Sequence, residues 1–387
     1  MKVAAKMARL GTETAFEMLA RARALEAKGA HVVHLEIGEP DFDTPANIVE
    51  SAITALREGW THYGPSAGLP ELQMAIAREA TEVRGVEFAP SQVVVTPGAK
   101  PIMFYVILAL IDEGDEVIYP NPGFPIYESM IDFVGGVAVP VQLREDRGFR
   151  FDVGELRDKV TDKTKLIILN SPHNPTGGML TRADLEEVAR LAVERDIAVL
   201  SDEVYRRIIY EGEHYSIASL PGMQERTIIL DGFSKTYAMT GWRLGYGIMP
   251  HDLAPHISRL MVNSASCTAS FIQRAGVEAI TGPQTEPQRY VEEFRRRRDV
   301  VVDGLNEIPG FSCLRPQGAF YVFPNISQTG VPAQQMAEYL LVEAGVATLA
   351  GTAFGRYGEG YLRLSYANSV ENIKLALERI KAAVAKL

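Results

Sequence analysis

Between Gln92 and Ile248 the chain repeatedly returns to short apolar, β-branched runs, with helical patterns between many of them, and this alternation restricts the fold more than any other feature. The runs are Gln92–Thr96, Glu116–Tyr119, Val137–Val141, Lys165–Leu169, Ile197–Leu200, Thr227–Leu230 and Leu244–Ile248. Several are continuously apolar, as strands of a mainly parallel sheet covered on both faces must be. The clearest intervening helix is predicted over Thr181–Arg195. There Leu185, Val188, Ala189 and Ala192 share one face, and Thr181 with Asp184 resembles a capping box. Strands alternating with helices predict an α/β sandwich.

Past about residue 285 the character changes. A charged helix, a strand-like stretch Gly318–Phe323, a helix from Pro332, a strand Tyr361–Ala367 and a final helix predict a smaller α+β unit. At 387 residues the chain exceeds one ordinary core. The reading is therefore a large domain over 46–284, a small domain over 285–387, and an N-terminal segment, 1–45. That segment holds a helix, Ala15–Lys28, with too few partners to fold alone, and it is expected to pack on the small domain.

Composition excludes several function classes. The net charge of −10 provides no general basic field for nucleic acid. The run Arg295–Arg298 follows Tyr290 and Phe294 in a helical pattern and is read as a solvated helix face. Cys267 and Cys313 have no CxxC or Cys/His partner, so neither a disulfide framework nor a metal site is expected. The most apolar run, Ile102–Ile111, falls well short of the ~20 residues that span a bilayer. The N-terminus lacks a signal-peptide pattern, and the expected location is the cytoplasm.

The chemistry centres on Asp231-Gly-Phe-Ser-Lys-Thr-Tyr-Ala-Met-Thr-Gly-Trp-Arg. Lys235 follows a strand and lies among Ser, Tyr, Met and Trp, with no charge within three residues on its C-terminal side. Partial desolvation would lower its pKa and free an amine able to form an imine. In Thr96-Pro-Gly-Ala-Lys-Pro a strand leads into a helix predicted to begin at Pro101. The amides of Gly98, Ala99 and Lys100 would then face an anion with the helix dipole behind them.

The segment SKTYAMTGWR resembles the Schiff-base motif of class I aminotransferases of fold type I, closest in motif to bacterial aspartate aminotransferases. The other segments follow in that family's order over nearly the whole chain. The resemblance implies a large domain with a mainly parallel seven-stranded sheet in an α/β/α sandwich plus a smaller α+β domain. It also implies pyridoxal 5'-phosphate as cofactor, with Lys235 as its imine partner and catalytic base.

By the same resemblance, Asn174 in Asn170-Ser-Pro-His-Asn-Pro and Tyr205 hydrogen-bond the cofactor's phenolic oxygen. Asp202, in Leu200-Ser-Asp-Glu-Val-Tyr, pairs with the pyridine nitrogen, because a nearby carboxylate keeps that nitrogen protonated and the ring able to accept electrons. Ser234 and Arg243 join the Gly98–Lys100 amides on the phosphate, and Phe124 stacks on the ring. Tyr63 reaches the phosphate of a neighbouring subunit, which implies a homodimer. Arg363 forks the substrate α-carboxylate, with Gly38 and Asn174 beside it.

Lys100 matches a lysine that meets a distal carboxylate in aspartate-specific relatives, which implies aspartate or glutamate with 2-oxoglutarate as acceptor. Other features keep aromatic or aliphatic donors open: Glu13 lies near where those relatives have small hydroxyls, and Phe124 replaces their tryptophan. Gly232 stands where many relatives carry serine, and Ala350-Gly-Thr-Ala-Phe-Gly departs from the usual Pro-Gly-Thr, so a looser loop is expected. Two rival readings share these residues. One is a β-eliminating lyase on the same cofactor. The other is a cofactor-binding regulator, disfavoured because the stretch before Gly38 is too short for a DNA-binding domain.

Overall fold

The computed structural model describes residues 1–387. Its central sheet has eight strands: β1 (Val93–Thr96), β2 (Glu116–Asn121), β3 (Val137–Arg144), β4 (Arg150–Phe151), β5 (Thr164–Asn170), β6 (Ala198–Asp202), β7 (Thr227–Gly232) and β8 (Gly245–Ile248). They lie in the order β1-β8-β7-β6-β5-β2-β3-β4. Strand β8 is antiparallel to both neighbours, whereas β7, β6, β5, β2 and β3 are mutually parallel. Seven strands match the seven expected runs. The eighth, β4, is an antiparallel edge strand of two residues, too short for any period to mark it.

Strand β5 shows why both faces are covered. Leu166 and Ile168 join an apolar cluster with Ile102, Val106 and Ile131, while Ile167 and Leu169 join another with Leu185 and Val188. Successive side chains point to opposite faces, so a continuously apolar strand needs helices on each side. Burying each such side chain contributes about 1.5–3 kcal/mol. The helix Arg182–Arg195 starts as expected. Thr181 accepts from the Asp184 amide at 3.2 Å, and Asp184 accepts from the Thr181 amide at 2.8 Å.

In the C-terminal part, strand Leu362–Ser365 lies between Tyr321–Val322 and Leu349–Ala350, antiparallel to both, with helices Thr285–Asn306 and Val370–Val384 beside them. The N-terminal helix spans Thr14–Glu26. Val33–His34 pairs in parallel with Val346–Ala347, and Met18, Ala22 and Leu35 share an apolar cluster with Met336, Leu340 and Ile373. That cluster continues through Phe320 to Ile118 and Leu185 of the large sheet.

The arginine run departs from expectation. Arg297 and Arg298 are buried. Arg297 pairs with Asp41 and Glu293, and Arg298 with Glu211 and Asp299. Four consecutive residues sweep once around a helix, so only part of the run can face solvent.

Candidate active site

Strands β2, β5, β6 and β7 run in one direction, and β1 shares it because β8 reverses between β1 and β7. All five therefore end at the same edge of the sheet, where α/β folds place their ligands. The segments following them line one cavity of about 550 Å³. Ala99 and Lys100 follow β1, Phe124 follows β2, and Asn174 follows β5. Asp202 ends β6, with Tyr205 next, while Ser234, Lys235 and Arg243 follow β7. Gly38 and Arg363 enter from the N-terminal segment and the C-terminal part.

Lys235 Nζ donates to the Gly38 carbonyl at 2.5 Å. Burial brings its pKa down to about 8, against an upward pull from Glu39. Gly38 leaves no room for a side chain, because a Cβ there would run into the Tyr321 hydroxyl. Asp202 is buried, and burial raises its carboxyl to about 6. Two donors oppose that rise: Tyr127 Oη at 2.5 Å and the Val204 amide at 3.4 Å. Tyr205 shares a 2.7 Å hydrogen bond with the Tyr321 hydroxyl, and burial pushes its phenol well above the usual range.

Asn174 is fixed from behind, its backbone N–H donating to Asn170 Oδ1 at 2.9 Å, while its own buried side-chain Oδ1 has no partner. Arg363 is buried in a strand whose neighbours are apolar. Its guanidinium lies 4.7 Å from the Tyr321 ring centroid and 5.1 Å from that of Phe354, and one nitrogen donates to the Glu36 carbonyl. Its Nε is buried without a partner, and burial lowers its pKa.

After β1, helix Lys100–Leu110 begins one residue before the expected Pro101. Gly98 has φ +87°, and a Cβ on it would strike the Arg243 guanidinium, so only glycine lets the loop and that side chain close together. Arg243 Nη1 donates to the Thr240 carbonyl at 2.8 Å. Gly232 has a packing role: a Cβ there would sit 3.2 Å from Gly245 Cα and 3.4 Å from Ala99 Cβ. A serine there would need the junction of β7, β8 and the loop after β1 to give by a few tenths of an ångström.

Phe124 packs edge-on against Tyr127, with the Lys100 ammonium 5.4 Å from its ring centre. Lys100 is ion-paired with Glu13. Tyr63 is 90% exposed and lies outside the cavity. The loop expected to be loose forms a 3-10 turn, Gly351–Phe354, in which Phe354 is buried and its carbonyl accepts from the Gly123 amide at 2.8 Å.

Three contributors were not read from the sequence. Tyr127, Tyr321 and Asn170 reach the site across the chain. Asn170 donates to the Asp202 carbonyl at 3.0 Å while holding the Asn174 amide, and so staples two strand ends together. Its position as the polar terminus of an apolar strand was an available signal.

A lysine with a lowered pKa, a buried carboxylate at a strand end, a helix start and a buried arginine meet in one cavity, the set that a cofactor-dependent transferase acting on small carboxylates requires. Residues 30–380 match the model of the family "Aminotransferase class I and II", and this chain belongs to that family. Aspartate aminotransferase from Pyrococcus abyssi is 45% identical over 90% of this chain and 91% of its own length. The structure of Thermus thermophilus aspartate aminotransferase with maleate aligns with TM-score 0.94 at 38% identity, covering 99% of this chain and 100% of that one. That of an aromatic aminotransferase from Pyrococcus horikoshii aligns with TM-score 0.90 at 43% identity, covering 95% and 99%.

The protein is accordingly a pyridoxal-phosphate-dependent aminotransferase. The residues present fit that group. The unpartnered Asn174 Oδ1 and Arg363 Nε leave polar capacity for ligands, and Asp202 is a buried carboxylate without a cationic partner in the chain.

Proposed function

We propose that this aminotransferase moves the amino group of aspartate to 2-oxoglutarate. The observation that carries this reading is a single cavity lined by Lys235 and by three further side-chain cations, of which Arg363 and Lys100 remain for the substrate once Arg243 is given to the phosphate. A dicarboxylic substrate has one carboxylate for each.

In this reading Arg363 holds the α-carboxylate through a bidentate contact, and Gly38 and Asn174 border it. Lys100 holds the distal carboxylate. Asp202 faces the pyridine nitrogen, Asn174 and Tyr205 the phenolic oxygen, and Phe124 the ring. Ser234, Arg243 and the amides of Gly98, Ala99 and Lys100 hold the phosphate. When bound, the cofactor supplies an electron sink that makes a substrate α-proton removable. Lys235 takes that proton at Nζ and returns it; a pKa near 8 leaves a usable fraction of free amine near neutrality.

The assembly proposed is a cytoplasmic homodimer serving amino-acid biosynthesis, in which Tyr63, exposed and outside its own cavity, meets the partner's phosphate site. The chain divides into an N-terminal segment 1–45, a large domain 46–284 and a small domain 285–387. A second reading, with uncharged amino donors, is favoured by the ion pair that already occupies Lys100.

Half-reactions of the holoenzyme with single amino acids, followed through loss of the cofactor's visible absorbance, test the choice. Aspartate and glutamate should react fastest. No change with either would overturn the acidic-substrate reading.

A further inference from the structure

Glu13 occupies the N-cap position of helix Thr14–Glu26, yet its side chain accepts no bond from the helix amides. Shorter polar side chains are favoured there because they reach those amides. The Glu13 carboxylate pairs instead with the Lys100 ammonium, and both residues line the active-site cavity. The Glu13 side chain is only 18% exposed. The preceding turn, Ala5–Arg9, buries no residue. Anchors on either side of Leu10 are the Gly11 amide to Ser129 Oγ at 2.8 Å and Arg9 to the Phe133 carbonyl at 3.2 Å. Phe16, 62% exposed, and Phe124 supply apolar lining near the pair.

We propose that Glu13 is a specificity-determining residue that stands in for the distal carboxylate of a dicarboxylic substrate on Lys100. While it is paired, the cavity offers uncharged side chains a neutral wall flanked by Phe16 and Phe124. A dicarboxylic substrate must displace it, because two carboxylates on one ammonium repel. The enzyme thereby accepts both substrate classes, and Glu13 weakens the acidic one. This rests on the aminotransferase reading above. A tethered carboxylate competes at an effective concentration of order millimolar, so the penalty falls on dicarboxylates alone.

Calorimetric titration of the holoenzyme with two unreactive ligands, maleate and 3-phenylpropionate, tests this on the wild type, Glu13→Gln and Glu13→Ser. Both variants should bind maleate roughly tenfold more tightly, while 3-phenylpropionate stays within about twofold. A maleate gain under about threefold, or an equal gain for both ligands, overturns the proposal. If amino acids still react while maleate affinity is unmoved, only the role of Glu13 fails. If neither ligand binds any variant and no amino acid changes the cofactor absorbance, the substrate reading beneath it fails as well.

Discussion

Asp202 and Lys100 line the same cavity under opposite physical regimes. Asp202 is 7% exposed, and its carboxylate is fixed by Tyr127 and by the Val204 amide of its own loop. The Lys100 side chain is 45% exposed and is held by one carboxylate from the N-terminal segment. Losing a partner at the first position strands a buried polar group, at about 1–3 kcal/mol or more. An exposed ion pair such as the second contributes about 0–1 kcal/mol. The Asp202 end, the proposed cofactor end, is thus built to stay in place, and the Lys100 end is built to be rearranged. The aspartate and aromatic aminotransferases among the similar proteins share this fold, as such a division would allow.

The strongest attempt to break this contrast is Lys235→Ala. If the cofactor end is a single fixed machine, removing its proposed proton carrier should lower kcat/KM by about 10⁴-fold for every amino acid alike. Steady-state rates with aspartate and tyrosine check this. A loss confined to one substrate would place Lys235 with the mouth residues instead. Next in size, Asp202→Asn should cost roughly 10²–10³-fold in kcat, again equally for both substrates, since it removes a preorganised charge in a dry site.

Legibility in the sequence followed the same division between local and remote contacts. The strands, the Thr181 cap and the loops bearing Lys235, Asn174 and Asp202 are written in contiguous residues, and each could be read from its own neighbours. Tyr321 could not, because its hydroxyl meets Tyr205, 116 residues away. Tyr127, three residues past Phe124, has no local mark of a role either, since its partner Asp202 lies 75 positions on. Arg297 and Arg298 misled for a related reason: a charge run reads as solvated until Asp41 and Glu211 are folded against it. Burial of these arginines is a tertiary fact, and their own neighbours in sequence carry no mark of it.

The smallest expected effect bears most directly on how firmly the cofactor end is fixed. Burial raises the Asp202 carboxyl from its ordinary 3.8 to about 6. The folded apoprotein therefore keeps this proton after the unfolded chain has released it. The stability it contributes is fully present below about 3.8 and is lost as pH rises through about 6. The Tyr127 hydroxyl favours the charged form, so it holds that upper limit down. In Tyr127→Phe the limit should move upward by on the order of one unit, the size expected for one hydrogen bond to a charged group. Urea midpoints of the two apoproteins between about pH 4 and 8 measure it. Two curves that differ by a constant offset would mean that the Asp202 charge does not depend on Tyr127. A variant curve that keeps falling past the wild-type limit would show one buried hydroxyl setting the ionisation of Asp202.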